Sequence, residues 1–539
     1  MPNFISEDQI EQALVQKLQH LHGFDALDCY TENAEDLNDG SGRANKRDVI
    51  LVERVREAAI RLNPGIPSAA IEDALDKLLD RRQAMTLIAA NREIYGLLRD
   101  GIPVEFDNAQ GVRQQELVRL LDFNTPDNNR YLAVTQLWIK GERGFRRPDV
   151  LLYVNGIPLV FIELKNSNVK LRNAYDDNLT TYKAEIPQLF LTNAFCVLSN
   201  AIETKVGSIT AEWEHFFNWL RADDEKQKID RKAIREQGIS LEGVIVGLLP
   251  KQRLLDYVEN FILYYKDSSK IIAQNHQFIG VNRAYAAFLK REELAGKLGV
   301  FWHTQGSGKS FSMIFYARKI FRKQTGNFTF VVVTDRDDLD GQIYRNFLNT
   351  RTVSEAEAAQ PKNSEEMRKF LGQNKRLVFT LIQKFRWDKG REYPELSGRN
   401  DIIVIVDEAH RTQYKSLAEN MRAGLPKAQY LAFTGTPLLG RERKTNAWFR
   451  LLDDAIEQGL AFCHEKEVAL REVLESADVF EKLGRFNVYA NALLANDEWR
   501  KGFNVYENTI SSLYEACKPE IMGRGKQSRV REVAVCRRS

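Results

Sequence analysis

Residues 146–167 read "RRPDVLLYVNGIPLVFIELKNS", two apolar runs that flank an Asn-Gly pair. An Asn-Gly pair between two such runs predicts a β-hairpin. Alternate residues of a strand point to the same face, so Glu163 and Lys165 share one face of the second strand. Three ionisable side chains, Asp149, Glu163 and Lys165, thus interrupt an otherwise apolar hairpin.

The length of the hairpin loop determines where Asp149 points. A two-residue loop would place Pro148 opposite Glu163, whereas a three-residue loop with glycine in the left-handed conformation would place Asp149 there. Proline cannot donate to the strand ladder and favours edges and bulges, so Pro158 favours the irregular arrangement. We therefore predict the three-residue loop and a site where two carboxylates and an ammonium group converge.

Asp149, Glu163 and Lys165 are predicted to be catalytic. Hard oxygen ligands such as Asp149 and Glu163 suit Mg2+, which polarises a phosphate and helps to deprotonate a water. Lys165 can orient that water or neutralise developing charge. The alternative is a solvated surface hairpin, against which the apolar surroundings argue. Four further residues are weaker candidates for a role at this site. Glu7 or Glu11, on a predicted first helix, could approach it, and Asn178 and Tyr182 could contact the DNA backbone.

Composition describes an ordinary globular chain. Its 539 residues suffice for about three domains, and 43% of them are hydrophobic. A net charge of +3 means that any nucleic-acid contact must come from local patches. The first residues lack the pattern of a secretory signal, and no apolar run is long enough to span a bilayer. We expect a cytoplasmic protein with no membrane contact, whose scattered cysteines are reduced and bind no zinc.

The pattern of apolar runs divides the chain. Residues 1–215 alternate helical stretches with strands and predict an α/β or α+β domain, and 216–255 form a charged, partly helical connection. Residues 256–445 repeat strand, polar loop and helix, which predicts a parallel sheet covered on both faces. Residues 446–522 are predicted to be helical, and 523–539 to be a disordered basic tail.

A phosphate-binding loop is predicted at "HTQGSGKS", residues 303–310, between a strand and a helix. Gly306 and Gly308 let backbone N–H groups turn towards phosphate oxygens, and the following helix adds its positive dipole end. Lys309 would reach the β- and γ-phosphates of ATP, and Ser310 would hold Mg2+. The predicted ATP-binding residues are Gln277, Thr304, Gly306, Ser307, Gly308, Lys309 and Ser310.

Acidic residues follow a second apolar strand, "DIIVIV", in the motif "DEAH". Asp407 suits the Mg2+ shell, and Glu408 suits polarising the attacking water as a catalytic residue. Isolated Asp-Glu pairs also begin helices, but here the pair follows a strand predicted to lie in the same sheet as the phosphate loop. Thr434 and Thr436 of "FTGTP" could sense the γ-phosphate or couple domains, and Gln277 with Phe278 could clamp adenine.

The motifs "RPDVLLYVNGIPLVFIELKN", "HTQGSGKSFSM", "VVVTDRDDLDGQ", "IVDEAHRTQY" and "FTGTPLL" together resemble one known family. A PD-(D/E)xK nuclease domain followed by a RecA-like helicase lobe is similar to the restriction (motor and endonuclease) subunit of type I restriction–modification enzymes. The resemblance implies an ATP-dependent endonuclease that translocates double-stranded DNA and cuts it away from the recognition site. It also implies methyltransferase and specificity subunits as partners, and a DNA-tracking face at Thr334 and Arg336.

Two departures from the family pattern bear on activity. The family often has glutamine where this chain has Asn178, whose shorter amide reaches less far. No second set of strands and loops follows residue 446, so we expect the second RecA-like lobe to be missing and translocation to be lost. An arginine from that lobe is typically worth about 10³–10⁵ in rate. The alternative function is therefore a non-translocating, degraded subunit that only binds ATP, DNA or partner subunits.

Overall fold

The computed structural model describes residues 4–108, 110–222, 229–302, 308–335, 337–373, 375–387, 393–407 and 415–434. The predictions for 446–522 and 523–539, and for a missing second lobe, lie outside these residues. The chain divides into two compact units. The first draws on Met1–Asn282, Ile314–Lys323 and Arg345–Ser354, and the second on Arg283–Met313, Gln324–Tyr344 and residues from Glu355 onwards.

The described α-helices are α1 (Glu7–His22), α2 (Val52–Leu62), α3 (Ser68–Leu79), α4 (Leu87–Asp100), α5 (Leu171–Asn173), α6 (Thr180–Glu185), α7 (Arg231–Gln237), α8 (Glu242–Gly247), α9 (Lys251–Asn260), α10 (Asn275–Leu289), α11 (Lys309–Lys323), α12 (Asp337–Asn349), α13 (Ser364–Leu371) and α14 (Lys415–Gly424). A π-helical turn, Ala174–Leu179, joins α5 to α6. None of the helices described is both long and apolar enough to cross a bilayer.

The described strands are β1 (Asp25–Asp28), β2 (Ile102–Asp107), β3 (Arg113–Val118), β4 (Tyr131–Thr135), β5 (Ile139–Lys140), β6 (Phe145–Arg146), β7 (Val150–Val154), β8 (Ile157–Leu164), β9 (Phe195–Ser199), β10 (Thr204–Gly207), β11 (Phe217–Asn218), β12 (Ile262–Tyr265), β13 (Ser269–Ile272), β14 (Lys297–Trp302), β15 (Thr329–Thr334), β16 (Ala358–Ala359), β17 (Leu377–Leu381), β18 (Ile402–Asp407) and β19 (Gln429–Thr434).

The first unit is built on a seven-stranded mixed sheet in the order β1-β4-β7-β8-β9-β10-β11. The pairs β1–β4 and β8–β9 are parallel, and the other neighbours are antiparallel. Every residue of β8 is buried, which is why its sequence is apolar throughout except at Glu163. On the face of Glu163, Phe161 packs with Tyr153 and Phe190 in the unit's main core.

The first helix forms as its amphipathic pattern predicts. Ile10, Leu14 and Leu18 are buried, and the helix opens with a capping box between Ser6 and Gln9. The predicted charged connection is helical at α7, none of whose residues is buried. It becomes more buried along α8 and α9, where Val244, Leu254 and other apolar side chains enter the core.

The second unit contains a six-stranded sheet in the order β14-β19-β18-β15-β17-β16. All its neighbouring strands are parallel. The prediction of a parallel α/β sheet within residues 256–445 is therefore confirmed. In such sheets ligands bind beyond the carboxyl ends of the strands, and Asp407 lies at that end of β18.

Candidate functional site

The hairpin of β7 and β8 has a two-residue loop, so the prediction of a three-residue loop is wrong. Asn155 and Gly156 form the loop with positive φ angles of 51° and 83°, and Val154 pairs with Ile157. A β-bulge then shifts the register, because Tyr153 pairs with Pro158 and Leu152 pairs with Val160. The extra residue in β8 comes directly after Pro158, as proline's lack of an N–H donor favours.

This bulge brings Asp149 beside Glu163. The sequence analysis predicts the same pairing, but derives it from a three-residue loop. Val150 pairs with Ile162, so the next step of the ladder reaches Asp149 and Glu163. The backbone N–H of Leu164 donates to Asp149 Oδ2 at 2.7 Å. Lys165 Nζ lies 3.1 Å from Glu163 Oε1. The three predicted side chains therefore converge at the end of β8.

Burial perturbs the carboxylates of this cluster. Burial, and then the charge of Asp149, raise the pKa of Glu163 well above 4.5, against the opposing effect of Lys165. Burial raises the pKa of Asp149 to about 6, although the N–H of Leu164 and the charge of Lys165 lower it in part. Burial lowers the pKa of Lys165, but Glu163 and Asp149 raise it by more, so that the ammonium form is favoured. Paired groups with perturbed pKa values in one place are typical of functional sites.

The first helix adds two carboxylates to the cluster, as the sequence suggests. Glu7 Oε1 accepts from the N–H of Asn166 at 3.3 Å, next to Lys165. Glu11 Oε2 accepts from Gln136 Nε2 at 2.6 Å. Burial raises the pKa of Glu11 to about 7, and the charge of Asp149 adds to this effect against the hydrogen bond from Gln136.

Sequence analysis does not find Gln136, which links the cluster together. Its N–H donates to the carbonyl of Asp149 at 3.0 Å, while its side chain holds Glu11. Gln136 has a φ of 56°, a left-handed conformation that is uncommon for a residue other than glycine. No pattern in the chain marks it, because the contact depends on how β4 ends beside α1.

The donor set fits a divalent cation held by few protein ligands. Glu163 Oε2 is buried without a hydrogen-bond partner, and a buried carboxylate oxygen left in this way is costly unless a cation or water satisfies it. Among the described residues no three His, Cys, Asp or Glu side chains are grouped to hold a metal ion. Asp149 and Glu163 would therefore hold Mg2+ together with a backbone carbonyl and water.

The structure buries Tyr182, whereas Asn178 is half-buried and its predicted contact with DNA stays a prediction. Tyr182 is buried, with its ring edge-on to Phe161, and its hydroxyl donates to the carbonyl of Arg147 at 3.4 Å. Asn178 Nδ2 donates to the Tyr182 hydroxyl at 3.4 Å. The expectation that Tyr182 contacts DNA is therefore corrected. Its side chain is buried and contacts the backbone of Arg147, two residues before Asp149. The π-helical turn that contains Asn178 is of a kind frequent at functional sites.

The predicted phosphate site is described in part. Helix α11 begins at Lys309, as predicted, and Gly308 before it has a φ of 80°. Lys309 Nζ lies 3.6 Å from Asp407 Oδ1, at the carboxyl end of β18. Ser310 follows in the first turn of α11. Thr304, Gly306, Ser307, Arg336, Glu408 and Thr436 lie outside the described residues.

The structure bears on two other predictions for this region, those for Phe278 and Gln277 as residues that bind ATP. The ring of Phe278 is buried among Trp219, Tyr257 and Phe261, so it cannot stack on adenine. Gln277 is also buried, and its side-chain oxygen accepts from the N–H of Gln274 at 2.9 Å. Its predicted role in ATP binding stays a prediction.

Two threonines that the sequence analysis singles out are the last residues of strands on either side of β18. Thr334 ends β15 and Thr434 ends β19, and both are fully or almost fully buried. The prediction that the Thr334 side chain contacts DNA is therefore corrected, because this side chain is buried. Thr434 pairs with Trp302 in the register of β14 and β19, so it lies beside the start of the predicted phosphate loop.

Comparison with known proteins finds two matching family models and several similar relatives. Residues 4–215 match the family model for the N terminus of the type I restriction enzyme R protein, and residues 276–458 match that for SWI2/SNF2 ATPases. The chain is 37% identical over 490 residues to the type I restriction enzyme HindI endonuclease subunit of Haemophilus influenzae, an alignment that covers 84% of this chain and 45% of the relative. Over most of its length this chain is therefore similar to type I restriction enzyme endonuclease subunits.

A second curated relative is similar over most of this chain. The putative type I restriction enzyme MjaIXP endonuclease subunit of Methanocaldococcus jannaschii is 34% identical over 467 residues, covering 82% of this chain and 43% of the relative. The chain thus spans less than half the length of these curated relatives. The UvsW helicase of bacteriophage T4 is 14% identical over 37% of the chain and 65% of its own, with a TM-score of 0.29, too low to support an argument.

Proposed function

We propose that this chain is a type I restriction enzyme endonuclease subunit, a Mg2+- and ATP-dependent enzyme that cuts double-stranded DNA. The observation that carries the proposal is the bulged hairpin, which aligns Asp149, Glu163 and Lys165 at one buried edge. A PD-(D/E)xK nuclease fold for this domain is part of the proposal. It is supported by the mixed sheet and by the match of residues 4–215 to the R protein N terminus.

The proposed chemistry divides the work among these three residues. Mg2+, when bound, supplies positive charge beside the scissile phosphate and lowers the pKa of a water. Asp149 and Glu163 would hold the ion, and the N–H of Leu164 fixes the orientation of the Asp149 carboxylate. The perturbed pKa of Lys165 favours the ammonium form, so this side chain donates a hydrogen bond to the water or the phosphate.

ATP is the proposed ligand of the second unit. Lys309 would bind its phosphates, while Asp407 with Ser310 would hold the accompanying Mg2+. The 3.6 Å distance between Lys309 and Asp407 brings the two proposed partners of one Mg2+–nucleotide complex together. We further propose methyltransferase and specificity subunits as partners, because similar proteins are named as endonuclease subunits of type I restriction enzymes.

Lys165→Ala tests the nuclease assignment. We expect this substitution to reduce Mg2+-dependent cutting of unmodified DNA by about 10²–10³, as removal of one charge-stabilising donor typically does. ATP binding by the same protein should be unchanged, since Lys165 belongs to the other sheet. Cutting is measured with a supercoiled plasmid, and ATP binding with a fluorescent analogue.

Lys170→Ala is the matched control, because Lys170 is exposed five residues further along the chain. It removes an equal charge from the same neighbourhood, and cutting should remain at the wild-type level. Cutting by Lys165→Ala at the rate of Lys170→Ala would overturn the nuclease assignment.

A further inference from the structure

Arg147 lies between two aromatic rings beside the acidic cluster. Its guanidinium carbon is 5.1 Å from the centre of the Tyr30 ring and 4.9 Å from the centre of the Trp138 ring. A planar guanidinium held by two rings keeps its orientation, and its N–H groups remain available at its edges. Arg147 is two residues before Asp149, so these N–H groups are presented near the proposed catalytic carboxylates.

The two rings that hold Arg147 are themselves anchored. Trp138 Nε1 donates to the carbonyl of Thr31 at 3.0 Å, and the Trp138 ring is edge-on to Phe145. The N–H of Tyr30 donates to Asp28 Oδ1 at 3.0 Å, which fixes the backbone on the other side. The guanidinium is therefore positioned by Trp138, its neighbour across the hairpin of β5 and β6, and by Tyr30 from a separate chain segment.

Arg147 forms no salt bridge with any carboxylate among the described residues. Within the described part of the chain, no carboxylate lies within salt-bridge distance of its guanidinium, although Asp149 is close enough for that charge to act on it. Arg146, its neighbour, is different, because its guanidinium is paired with Glu185. One of two adjacent arginines is thus neutralised, and the other is oriented and uncompensated.

A phosphodiester group suits this arrangement. Arginine binds phosphate with two parallel N–H donors, and these bonds are stronger than those between neutral groups. Phosphate contacts position a nucleic acid without reading its sequence, which suits an enzyme that cuts without sequence preference at the cut. The acidic cluster alone would repel DNA, so a cation beside it serves a distinct purpose.

We propose that Arg147, held between Tyr30 and Trp138, binds a backbone phosphate of the DNA strand that enters the acidic cluster. This inference rests on the proposed nuclease function and names a residue that positions its substrate. Arg147 acts on binding, whereas Lys165 acts at the reacting phosphate. Loss of Arg147 should therefore weaken DNA binding and raise the KM for DNA, while the kcat for cutting changes little.

Duplex binding by the full chain tests this inference. The affinity for a fluorescently labelled linear duplex is measured by anisotropy at several salt concentrations, with Ca2+ in place of Mg2+ so that the strands stay intact. We expect Arg147→Gln to weaken binding by about tenfold and to reduce the slope of log affinity against log salt by about 1, as loss of one phosphate contact predicts. Arg147→Lys keeps the charge but not the paired donors, and should show a smaller loss of affinity.

Two pairs of variants control for charge and for packing. Arg146→Gln removes an equal charge that Glu185 already neutralises, so its affinity and salt slope should match those of the wild type. Tyr30→Phe keeps the ring against Arg147, whereas Tyr30→Leu removes it. Because Tyr30 is 54% exposed, neither change disturbs the core, and only Tyr30→Leu should weaken binding.

The outcomes separate this inference from the proposed function. Equal losses in Arg146→Gln and Arg147→Gln, an unchanged affinity in Arg147→Gln, or no duplex binding by the wild type would each overturn the role of Arg147. Cutting that depends on Lys165 but not on Arg147 would leave the nuclease assignment intact. Binding that depends on Arg147, in a chain that does not cut, would support the DNA contact and remove the nuclease assignment.

Discussion

At the scale of single residues, the burial of Glu163 lowers the stability of the metal-free fold at a position proposed for catalysis. This residue is 1% exposed, one of its oxygens has no partner, and the nearby charge of Asp149 opposes its ionisation. Such a carboxylate destabilises the metal-free fold at neutral pH and becomes favourable when a cation binds. The residue type and spacing could be predicted from the sequence, but the burial that perturbs it follows from packing across the sheet.

We expect Glu163→Gln to raise the apparent Tm of the metal-free chain by about 2–4 °C, the shift that corresponds to about 1 kcal/mol in a domain of this size. The amide keeps an oxygen for Lys165 and removes the repulsion with Asp149. Thermal melts in EDTA and in Mg2+ measure the effect. Mg2+ should raise the Tm of the wild type and leave that of Glu163→Gln unchanged.

The pH dependence of the same melts has a definite sign. Folding raises the pKa of Glu163, so the group favours the folded state fully below pH 4.5, and this contribution is lost as pH rises through the folded-state value. In EDTA the Tm of the wild type should therefore fall more steeply above about pH 5 than that of Glu163→Gln. Glu203→Gln, at a partly exposed carboxylate, is the control. Parallel curves for all three proteins would contradict the buried ionisation.

At the scale of elements, the hairpin shows what could be predicted and what could not. The Asn-Gly pair and the flanking apolar runs predict its two strands, and Pro158 predicts an irregularity. The choice between a longer loop and a bulge could not be made from these residues, because both give the same pairing of Asp149 with Glu163. Contacts outside the hairpin favour the short loop: the Asn155 side chain accepts from the N–H of Arg130 and donates to the carbonyl of Leu120, each at 2.8 Å.

Gly156→Ala tests the importance of this turn. A Cβ there would lie 2.6 Å from the carbonyl oxygen of Leu51 and 2.8 Å from Arg54 Cβ, and the φ of 83° already disfavours alanine. We expect a loss of about 2–4 kcal/mol in the free energy of unfolding, from the left-handed backbone and from overpacking together. Displacement of β8 should also reduce cutting.

Gly111→Ala separates the two causes. Gly111 has a similar φ of 74°, and a Cβ there would meet nothing within 4 Å. Its cost should be limited to the backbone, about 1–2 kcal/mol. Chemical denaturation compares the two variants, and equal losses would mean that the contacts around Gly156 do not matter.

At the scale of the whole molecule, the sequence predicts the central strands of both sheets because each of them is a short apolar run, whereas β1 and β11 at the edges have no such pattern. Asp407 lies at the carboxyl end of β18, where its position after "DIIVIV" predicts it. Phe278 and Tyr182 could not be placed in this way, since aromatic residues serve equally in cores and in binding sites. Their burial depends on which helices pack against the sheets.

Two separate sites in one chain are the central claim, and paired variants test it most directly. DNA-stimulated ATP hydrolysis and DNA cutting are measured in one reaction, with the chain assembled with methyltransferase and specificity subunits on unmodified DNA. We expect Lys165→Ala to lose cutting and keep hydrolysis, and Lys309→Ala to lose both, because cutting depends on ATP. Hydrolysis by Lys309→Ala at the wild-type rate, or cutting by Lys165→Ala at the wild-type rate, would contradict the account.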